Sequence, residues 1–205
     1  MDDETPHIDV RAVHSVDAPA IYELDYSFET DRIYTLRVQN SLEQTERIVP
    51  QARVSFAFEL VETLVDPPLY KDYRVSGHTL ASVEARVQQV EGGYVALAND
   101  RIAGCVLLNI EESRSVVRIE ELIIGHLYRR YGVGRLLLNC AADWARERDC
   151  WAITLEIQSS NFPAIQFYLR NGFEIWSIQR HFYPPGVSAH EVAIVMGKQL
   201  SSASG

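Results

Sequence analysis

The order of strand-like and helix-like segments through residues 93–158 limits the possible folds more than any other feature of the chain. Three strand-like stretches follow one another with short polar turns between them, at residues 93–98, 101–111 and 115–124. A helical repeat of apolar residues then runs over residues 133–148, and residues 151–158 return to a strand pattern. Short turns join antiparallel strands and a strand–helix–strand unit joins parallel ones, so this segment predicts a mixed sheet.

The segments on either side add to this sheet. Residues 161–171 are typical of a second helix, with Asn161 as N-cap, Pro163 in the first turn and Gly172 at the stop. Further strands are predicted at residues 8–13, 54–61, 173–180 and 190–198. The fold class is therefore α/β (α+β), a mixed and mostly antiparallel twisted sheet with helices on both faces. We expect one domain over residues 1–200 and a flexible tail at 201–205.

The region between the first strand and residue 90 is less regular. Asp17 is expected to cap a helix that runs to about residue 27. Residues 30–50 are interpreted as a short irregular or strand segment, and Asp66-Pro67-Pro68 as a break in the pattern. Residues 82–90 are interpreted as a short helix or an irregular link.

Charge and composition narrow the function classes. The 205 residues carry a net charge of −9 with a pI near 5.1, and binding to nucleic acid requires a basic face. The first residues lack a signal peptide's basic and apolar regions, and no apolar run reaches the ~20 residues that span a bilayer. We therefore expect a cytoplasmic protein that binds neither nucleic acid nor membrane. Three cysteines are expected to be reduced, and no spacing of Cys or His indicates a metal site.

Residues 122–135 combine an apolar strand, a short loop and a helix start. The first turn of a helix leaves backbone N–H groups without partners, and the helix dipole adds positive charge there. Gly132 and Gly134 permit close approach of a ligand, and arginines at 129, 130 and 135 add charge. This pattern favours an anion site suited to a pyrophosphate. Two glycines that merely permit a tight turn remain the alternative. A dinucleotide fingerprint would need a third glycine where Leu137 stands, so an oxidoreductase is the weaker hypothesis.

Two motifs carry a resemblance to a known family. Arg129-x-x-Gly132-x-Gly134 after an apolar strand resembles the acetyl-CoA signature of the GNAT acetyltransferases. Asn161-x-x-Ala164-x-x-Phe167-Tyr168, followed by Gly172-Phe173, resembles a second motif of that family, in the right order. Shorter segments at 58–60, 68–73, 118–121 and 156–158 resemble the streptothricin acetyltransferases, which are antibiotic-resistance members of the class.

The resemblance implies a GNAT fold with a V-shaped split between two central parallel strands, and acetyl-CoA as the cofactor. It assigns cofactor contacts to the strand, to the loop with the helix start, and to the second helix: Leu122, Ile123, Ile124, Arg129, Arg130, Tyr131, Gly132, Val133, Gly134, Arg135, Asn161 and Tyr168. From the residues alone, Asn161 is equally well a helix cap and Tyr168 a core aromatic.

The same resemblance makes Tyr168 the general acid that protonates the departing thiolate. An amine acceptor must also lose a proton, and Glu120 or Glu121 is the candidate base. Strand alternation would direct these two carboxylates to opposite faces. Attack of the amine on the thioester is expected to be direct, without an acyl-cysteine. Aromatic residues are candidates for an acceptor pocket, namely Tyr70, Tyr73, Trp176 and Tyr183.

The sequence thus predicts an N-acetyltransferase that moves an acetyl group from acetyl-CoA to a primary amine. The acceptor is a streptothricin-like antibiotic, a small polyamine, or a protein N-terminal or lysine amine. A non-catalytic protein that binds acyl-CoA remains the alternative from another class. The resemblance also implies a possible homodimer.

Overall fold

The computed structural model describes residues 7–42, 54–75, 77–184 and 191–200. Its main sheet has seven strands in the order β1-β4-β5-β6-β7-β9-β8. The strands are β1 (Ile8–Ala12), β4 (Gly92–Ala98), β5 (Arg101–Glu111), β6 (Val116–Ile124), β7 (Ala152–Gln158), β8 (Glu174–Gln179) and β9 (Ala193–Gln199). All neighbours are antiparallel except β6 and β7, which are parallel. The mixed, mostly antiparallel sheet that the sequence predicts is confirmed.

Helices cover both faces of the sheet, as predicted. They are α1 (Ala18–Tyr22), α2 (Leu80–Gln89), α3 (Val133–Arg146) and α4 (Phe162–Arg170). One face packs against α3 and α4 through a core that includes Leu108, Leu137 and Ile153; we call it the α3 face. The opposite face packs against α1 and α2 through Val95 and Leu107, and we call it the α1 face.

The two parallel strands separate half-way along their length. β6 pairs with β7 only from Val116–Ile119 to Ala152–Leu155. Beyond this point β6 continues to Ile124 and β7 to Gln158, each paired with its antiparallel neighbour on the other side. The V-shaped split is therefore confirmed, and it opens between the ends of β6 and β7.

A long two-stranded ribbon lies apart from the main sheet, and it is longer than the sequence interpretation allowed. β2 (Ser27–Leu42) pairs with β3 (Val54–Asp72), where we expected a short irregular or strand segment at residues 30–50 and a strand at 54–61. The expected break at Asp66-Pro67-Pro68 is present in the pairing, because Arg32 pairs with Leu64 and Thr30 with Leu69, which leaves residues 65–68 unpaired as a bulge. Prolines, which have no N–H group, are tolerated at such a bulge. Tyr34 attaches the ribbon to α4 by accepting a hydrogen bond from Gln166 Nε2 at 3.0 Å.

The first helix is also shorter than predicted. It ends at Tyr22, because residues from Ser27 onward belong to β2. Asp17 is buried and its carboxylate is occupied by Arg11, with both N···O distances at 2.7 Å. It also accepts a hydrogen bond from the His14 backbone N–H at 2.8 Å. Asp17 therefore stabilises the turn before α1 and ties it to β1.

Among the described residues, no helix is long and apolar enough to cross a membrane. The tail at 201–205 lies outside the described residues. That residues 1–200 form one domain stays a prediction.

Candidate active site

A cleft of about 620 Å³ lies between the end of β6 and the starts of α3 and α4. Most of the predicted cofactor residues line it, namely Leu122, Ile123, Ile124, Arg129, Arg130, Gly132, Gly134, Arg135, Asn161 and Tyr168. Of the other two, Tyr131 has an exposed side chain and Val133 is buried in the core. The two sequence motifs therefore meet at one site, although about thirty residues separate them in the chain.

The loop before α3 presents free backbone donors to this cleft. Gly132 is the N-cap of α3 and has φ +82°, a left-handed conformation that favours glycine. The first hydrogen bond of the helix runs from Leu136 N to Gly132 O at 3.0 Å. The amides of residues 133–135 precede that bond and point out of the helix start. With Arg130 and Arg135 beside them, they fit the pyrophosphate of coenzyme A.

Gly134 has a packing role in addition. A Cβ atom at this position would lie 2.9 Å from Cζ of Phe167 on α4. The glycine therefore lets the first turn of α3 approach α4 closely. The close approach brings the two cofactor motifs to the same end of the sheet.

Arg129 lines the cleft, but its hydrogen bonds go to the protein backbone. Its Nε donates to Ile124 O at 3.1 Å and its Nη2 donates to Asp25 O at 3.0 Å. The side chain thus links the end of β6 to the segment before β2. Arg129 shapes the phosphate loop, while Arg130 and Arg135 are exposed and supply charge.

Asn161 is the N-cap of α4, and its predicted contact with the cofactor stays a prediction. Its Oδ1 accepts from Ala164 N at 3.3 Å and so caps α4, and its side chain lines the cleft. Its Nδ2 donates to the hydroxyl of Tyr73 at 3.2 Å, which joins α4 to the end of the ribbon. Burial raises the pKa of Tyr73 to about 12, so this phenol stays protonated at neutral pH.

Tyr168 stands where the cofactor cleft meets a second cavity. It lines the first cleft and also a cavity of about 250 Å³ at the split. Its ring packs edge-on against Phe167 and Phe173, with both centroid distances at 5.3 Å. Burial raises the pKa of Tyr168, which keeps the phenol protonated well above neutral pH. The structure thus gives Tyr168 the core environment of a packed aromatic and the location expected of a general acid.

Glu120 and Glu121 lie on the same face of the sheet, contrary to the alternation that we expected. The register between β5 and β6 shifts here, so Leu108 pairs with Ile119 and Leu107 with Glu121. Glu120 is the extra residue of a β-bulge, which reorients side chains relative to regular alternation. It accepts a hydrogen bond from Asn109 Nδ2 at 3.2 Å, on the α1 face.

Glu121 forms an ion pair on the same α1 face. Its Oε2 lies 3.1 Å from Nε of Arg86, which belongs to α2. Its Oε1 is buried without a hydrogen-bond partner among the described residues. This pairing gives Glu121 a structural role between β6 and α2. Both Glu120 and Glu121 nevertheless line the second cavity.

A third carboxylate at the split was missed as a catalytic candidate. Glu156 lies on β7 just beyond the last parallel pair, lines the second cavity, and accepts a hydrogen bond from the hydroxyl of Tyr183. Burial and this bond raise the pKa of Tyr183. Glu156 could have been found from the sequence, because it belongs to the strand that was predicted to diverge and shortly precedes Asn161. Of the four aromatic residues predicted for an acceptor pocket, Tyr73 and Tyr183 line this cavity, whereas Trp176 does not and Tyr70 is an exposed side chain of the ribbon.

The rim of the split carries one more charged cluster. Lys71 Nζ donates to both oxygens of Glu191, at 2.8 and 2.9 Å, and also to Oε1 of Gln158. Glu191 also accepts from the hydroxyl of Ser160. The ammonium of Lys71 lies 5.5 Å from the ring centre of Tyr73. These side chains join the base of the ribbon to the ends of β7 and β9.

None of the three cysteines is paired or activated. Cys105, Cys140 and Cys150 are free thiols, and burial raises the pKa of each. A raised pKa keeps a thiol protonated and unreactive. The expectation of direct transfer, without an acyl-cysteine, is consistent with this chemistry.

A phosphate loop beside a split parallel pair also agrees with the comparisons with known proteins. The profile of the acetyltransferase (GNAT) family matches residues 58–173, which is more than half of the chain. The chain belongs to the GNAT family. Membership confirms the acetyltransferase class that the sequence predicted. It replaces the dinucleotide-binding alternative, which depended on Gly132 and Gly134 alone.

Similar proteins extend over most of the chain. The streptothricin acetyltransferase of Streptomyces lavendulae is 29% identical over 188 residues, which cover 91% of this chain and 92% of that protein. The structure of nourseothricin acetyltransferase matches with a TM-score of 0.74 at 27% identity, covering 95% of this chain and 99% of that one. A Bacillus anthracis protein described as a streptothricin acetyltransferase, solved with acetyl coenzyme A, matches with a TM-score of 0.70 at 25% identity and covers 95% of this chain and 99% of its own.

Proposed function

We propose that this GNAT protein transfers an acetyl group from acetyl-CoA to a primary amine of a streptothricin-like antibiotic. The split between β6 and β7 carries this proposal, because it connects the phosphate-binding cleft on one side with a cavity that holds carboxylates on the other. Similarity to streptothricin acetyltransferases over most of the chain supports the choice of acceptor.

The cofactor side is built by β6, α3 and α4. The amides at the start of α3, with Arg130 and Arg135, would hold the pyrophosphate. The edge of β6 beyond Ile119 is released from β7 and offers backbone groups to an extended ligand. When bound, acetyl-CoA supplies the activated acetyl group as a thioester.

The acceptor side attracts and deprotonates an amine. Three carboxylates line the second cavity, namely Glu120, Glu121 and Glu156. We assign the role of general base to Glu156, because it lies just beyond the last parallel pair and its bond from the Tyr183 hydroxyl involves no charged partner. Glu121 is instead paired with Arg86, and Glu120 with Arg118. A protonated amine near Glu156 would lose its proton to the carboxylate, directly or through a water molecule, as it attacks.

Tyr168 completes the proton balance. As the nitrogen–carbon bond forms and the carbon–sulfur bond breaks, the sulfur of coenzyme A needs a proton or a hydrogen-bond donor. The Tyr168 phenol is protonated and lies between the two cavities, so we assign it this role. The nitrogen loses its second proton as the amide forms, and this proton restores the Tyr168 phenol through solvent. The products are the acetylated amine, coenzyme A and the one proton taken up by Glu156.

Binding and turnover test this proposal separately. Calorimetry should detect specific binding of acetyl-CoA, with NAD and ATP as negative controls. Release of coenzyme A is then followed with streptothricin, small polyamines and peptides as acceptors. Turnover with streptothricin is the expected result, while binding without turnover on any acceptor would favour the non-catalytic alternative.

A peptide N-terminus is the second candidate acceptor. The ribosomal protein bS18-alanine N-acetyltransferase of Salmonella typhimurium is 30% identical over 104 residues, which cover 51% of this chain and 68% of that protein. In the acceptor panel, an alanine-terminated peptide that outperforms streptothricin would establish this candidate. Homodimer formation stays a prediction.

A further inference from the structure

Two tryptophans form a stacked pair on the surface, at the end of β7 that is still paired with β6. The rings of Trp151 and Trp176 have their centroids 5.5 Å apart and are inclined by only 11°. Trp151 remains 46% exposed although it is one of the largest apolar side chains. Its Nε1 donates to Arg114 O at 2.8 Å, which fixes the orientation of the ring. The pair therefore presents a rigid aromatic surface to solvent.

A bulge places Trp176 on the α1 face. Ile175 pairs with Met196 and Ser177 with Val195, which leaves Trp176 as the extra residue of β8. Its ring lies flat on Gly197, where a Cβ atom would come within 2.3 Å of it. A bulge of this kind directs an additional side chain to one face of a sheet.

The aromatic pair and Glu156 share that face. Gly197 pairs with Thr154 and Val195 pairs with Glu156, without a register shift between them. Gly197 and Val195 are two residues apart, which is about 7 Å along a strand. The ring of Trp176, which lies on Gly197, is therefore about 7 Å along the sheet from the level of Glu156. Trp176 thus lies between Trp151, at the start of β7, and the acceptor side of the split.

Coverage of the sheet explains the position of Trp176, but it does not explain the exposure of Trp151. Below the pair, Ala152 and Thr154 are almost completely buried, and the ring of Trp176 on Gly197 contributes to that burial. Trp151, by contrast, keeps 46% of its surface exposed. Exposed aromatic faces that are held rigid are typical of recognition surfaces.

One exposed carboxylate beside the pair favours a cationic ligand. Glu174 pairs with Gly197, so its carboxylate stands on the same face as Trp176, and it forms no ion pair with the described residues. Glu120 lies on that face too, but Arg118 Nε lies 3.6 Å from its carboxylate and compensates its charge. A planar cation such as a guanidinium stacks favourably on tryptophan when carboxylates lie nearby.

We propose that Trp151 and Trp176 form a second binding site for the acceptor, which takes a planar or ring-shaped cationic group of the same molecule whose amine enters the split. This inference rests on the proposed function, because it supposes that the amine lies beside Glu156. The site determines specificity: it selects acceptors that carry a second cationic group at the right distance, and it takes no part in the chemistry.

Kinetics of Trp151→Ala test the proposal. With streptothricin as acceptor, we expect KM to rise about tenfold, the factor that corresponds to a lost cation–aromatic contact, with kcat unchanged. Trp151→Phe should retain most of the affinity. Phe58→Ala removes an equally exposed ring from the ribbon and should leave KM unchanged. An unchanged KM for well-folded Trp151→Ala would overturn the proposal.

Fluorescence gives a readout that does not depend on turnover. Of the three tryptophans, Trp144 is buried under Arg148, so the stacked pair dominates the response to a surface ligand. Agmatine, which joins a primary amine to a guanidinium, should quench the emission, and butylamine should not. Trp151→Phe should lose most of the quenching. Equal quenching by the two amines would refute the second site. Quenching by agmatine alone, with no acetylation of any acceptor, would support the second site and contradict the proposed function.

Discussion

Ile119 and Leu155 form the last pair between the parallel strands β6 and β7. Up to this pair the two strands are joined by backbone hydrogen bonds, and beyond it each is paired only with its antiparallel neighbour. The opening places Glu156 and Tyr168 at the same cavity, although they come from a strand and a helix. The candidate chemistry therefore depends on where strand pairing stops.

The two glycines of the phosphate loop should respond differently to alanine. At Gly134, a Cβ atom would lie 2.9 Å from the ring of Phe167, so Gly134→Ala should cost about 1–3 kcal/mol through overpacking between α3 and α4. At Gly132 nothing lies within 4 Å, and the cost of about 1 kcal/mol comes from its φ of +82°. Thermal unfolding measures both. Equal losses would show that the contact with Phe167 is unimportant.

Loss of the Tyr168 hydroxyl should affect turnover and not binding. Tyr168→Phe keeps the ring packed between Phe167 and Phe173, so the affinity for acetyl-CoA should be unchanged while kcat falls about 10²-fold. Because burial raises the pKa of Tyr168, the phenol is protonated at pH 7 and still protonated at pH 9. The loss in kcat should therefore be the same at both pH values. A loss that disappears at pH 9 would contradict the assignment.

Replacement of each carboxylate at the split by the corresponding amide should identify the general base. Glu156→Gln removes the proton acceptor while preserving the shape of the side chain, and we expect kcat to fall about 10²-fold. Glu120→Gln is the matched control, since it lies on the same face and is already bonded to Asn109, and kcat should change less than about threefold. A larger effect at Glu120 would transfer the role to that residue.

The buried carboxylate of Asp17 should make stability depend on pH. The guanidinium of Arg11 lowers the pKa of Asp17 in the folded protein. A lowered pKa means that the stabilisation is present above about pH 4 and is lost as the pH falls through the folded-state value. Asp17→Asn should therefore lower the free energy of unfolding in urea by about 1–2 kcal/mol at pH 7. The difference in unfolding free energy between Asp17→Asn and the original protein should shrink towards pH 3. A difference that does not change with pH would contradict the role given to the Asp17 carboxylate.

The sheet from β4 to β9 could be predicted because each element has a local pattern. The helical repeat of α3 and the cap at Asn161 are visible in short windows, and the helix between β6 and β7 fixes their parallel direction. The ribbon was missed because the stability of β2 and β3 comes from pairing between distant residues. The prolines of β3 lie in its unpaired bulge, so they interrupt the pairing without ending the ribbon.

The site was predicted where it depends on motifs and missed where it depends on register. Gly132, Gly134 and Tyr168 belong to contiguous patterns, and the fold brings them to one cleft. The bulge at Glu120 arises from the pairing of β6 with β5, which no single strand encodes. Strand alternation alone therefore gave the wrong faces for the two glutamates.

Mass spectrometry of streptothricin, after incubation with the protein and acetyl-CoA, tests the proposed activity itself. We expect one acetyl group to be added for each coenzyme A released, and Tyr168→Phe to form the product about 10²-fold more slowly. Unmodified streptothricin, from a folded protein that binds acetyl-CoA, would contradict the proposed activity and direct the search to other amines.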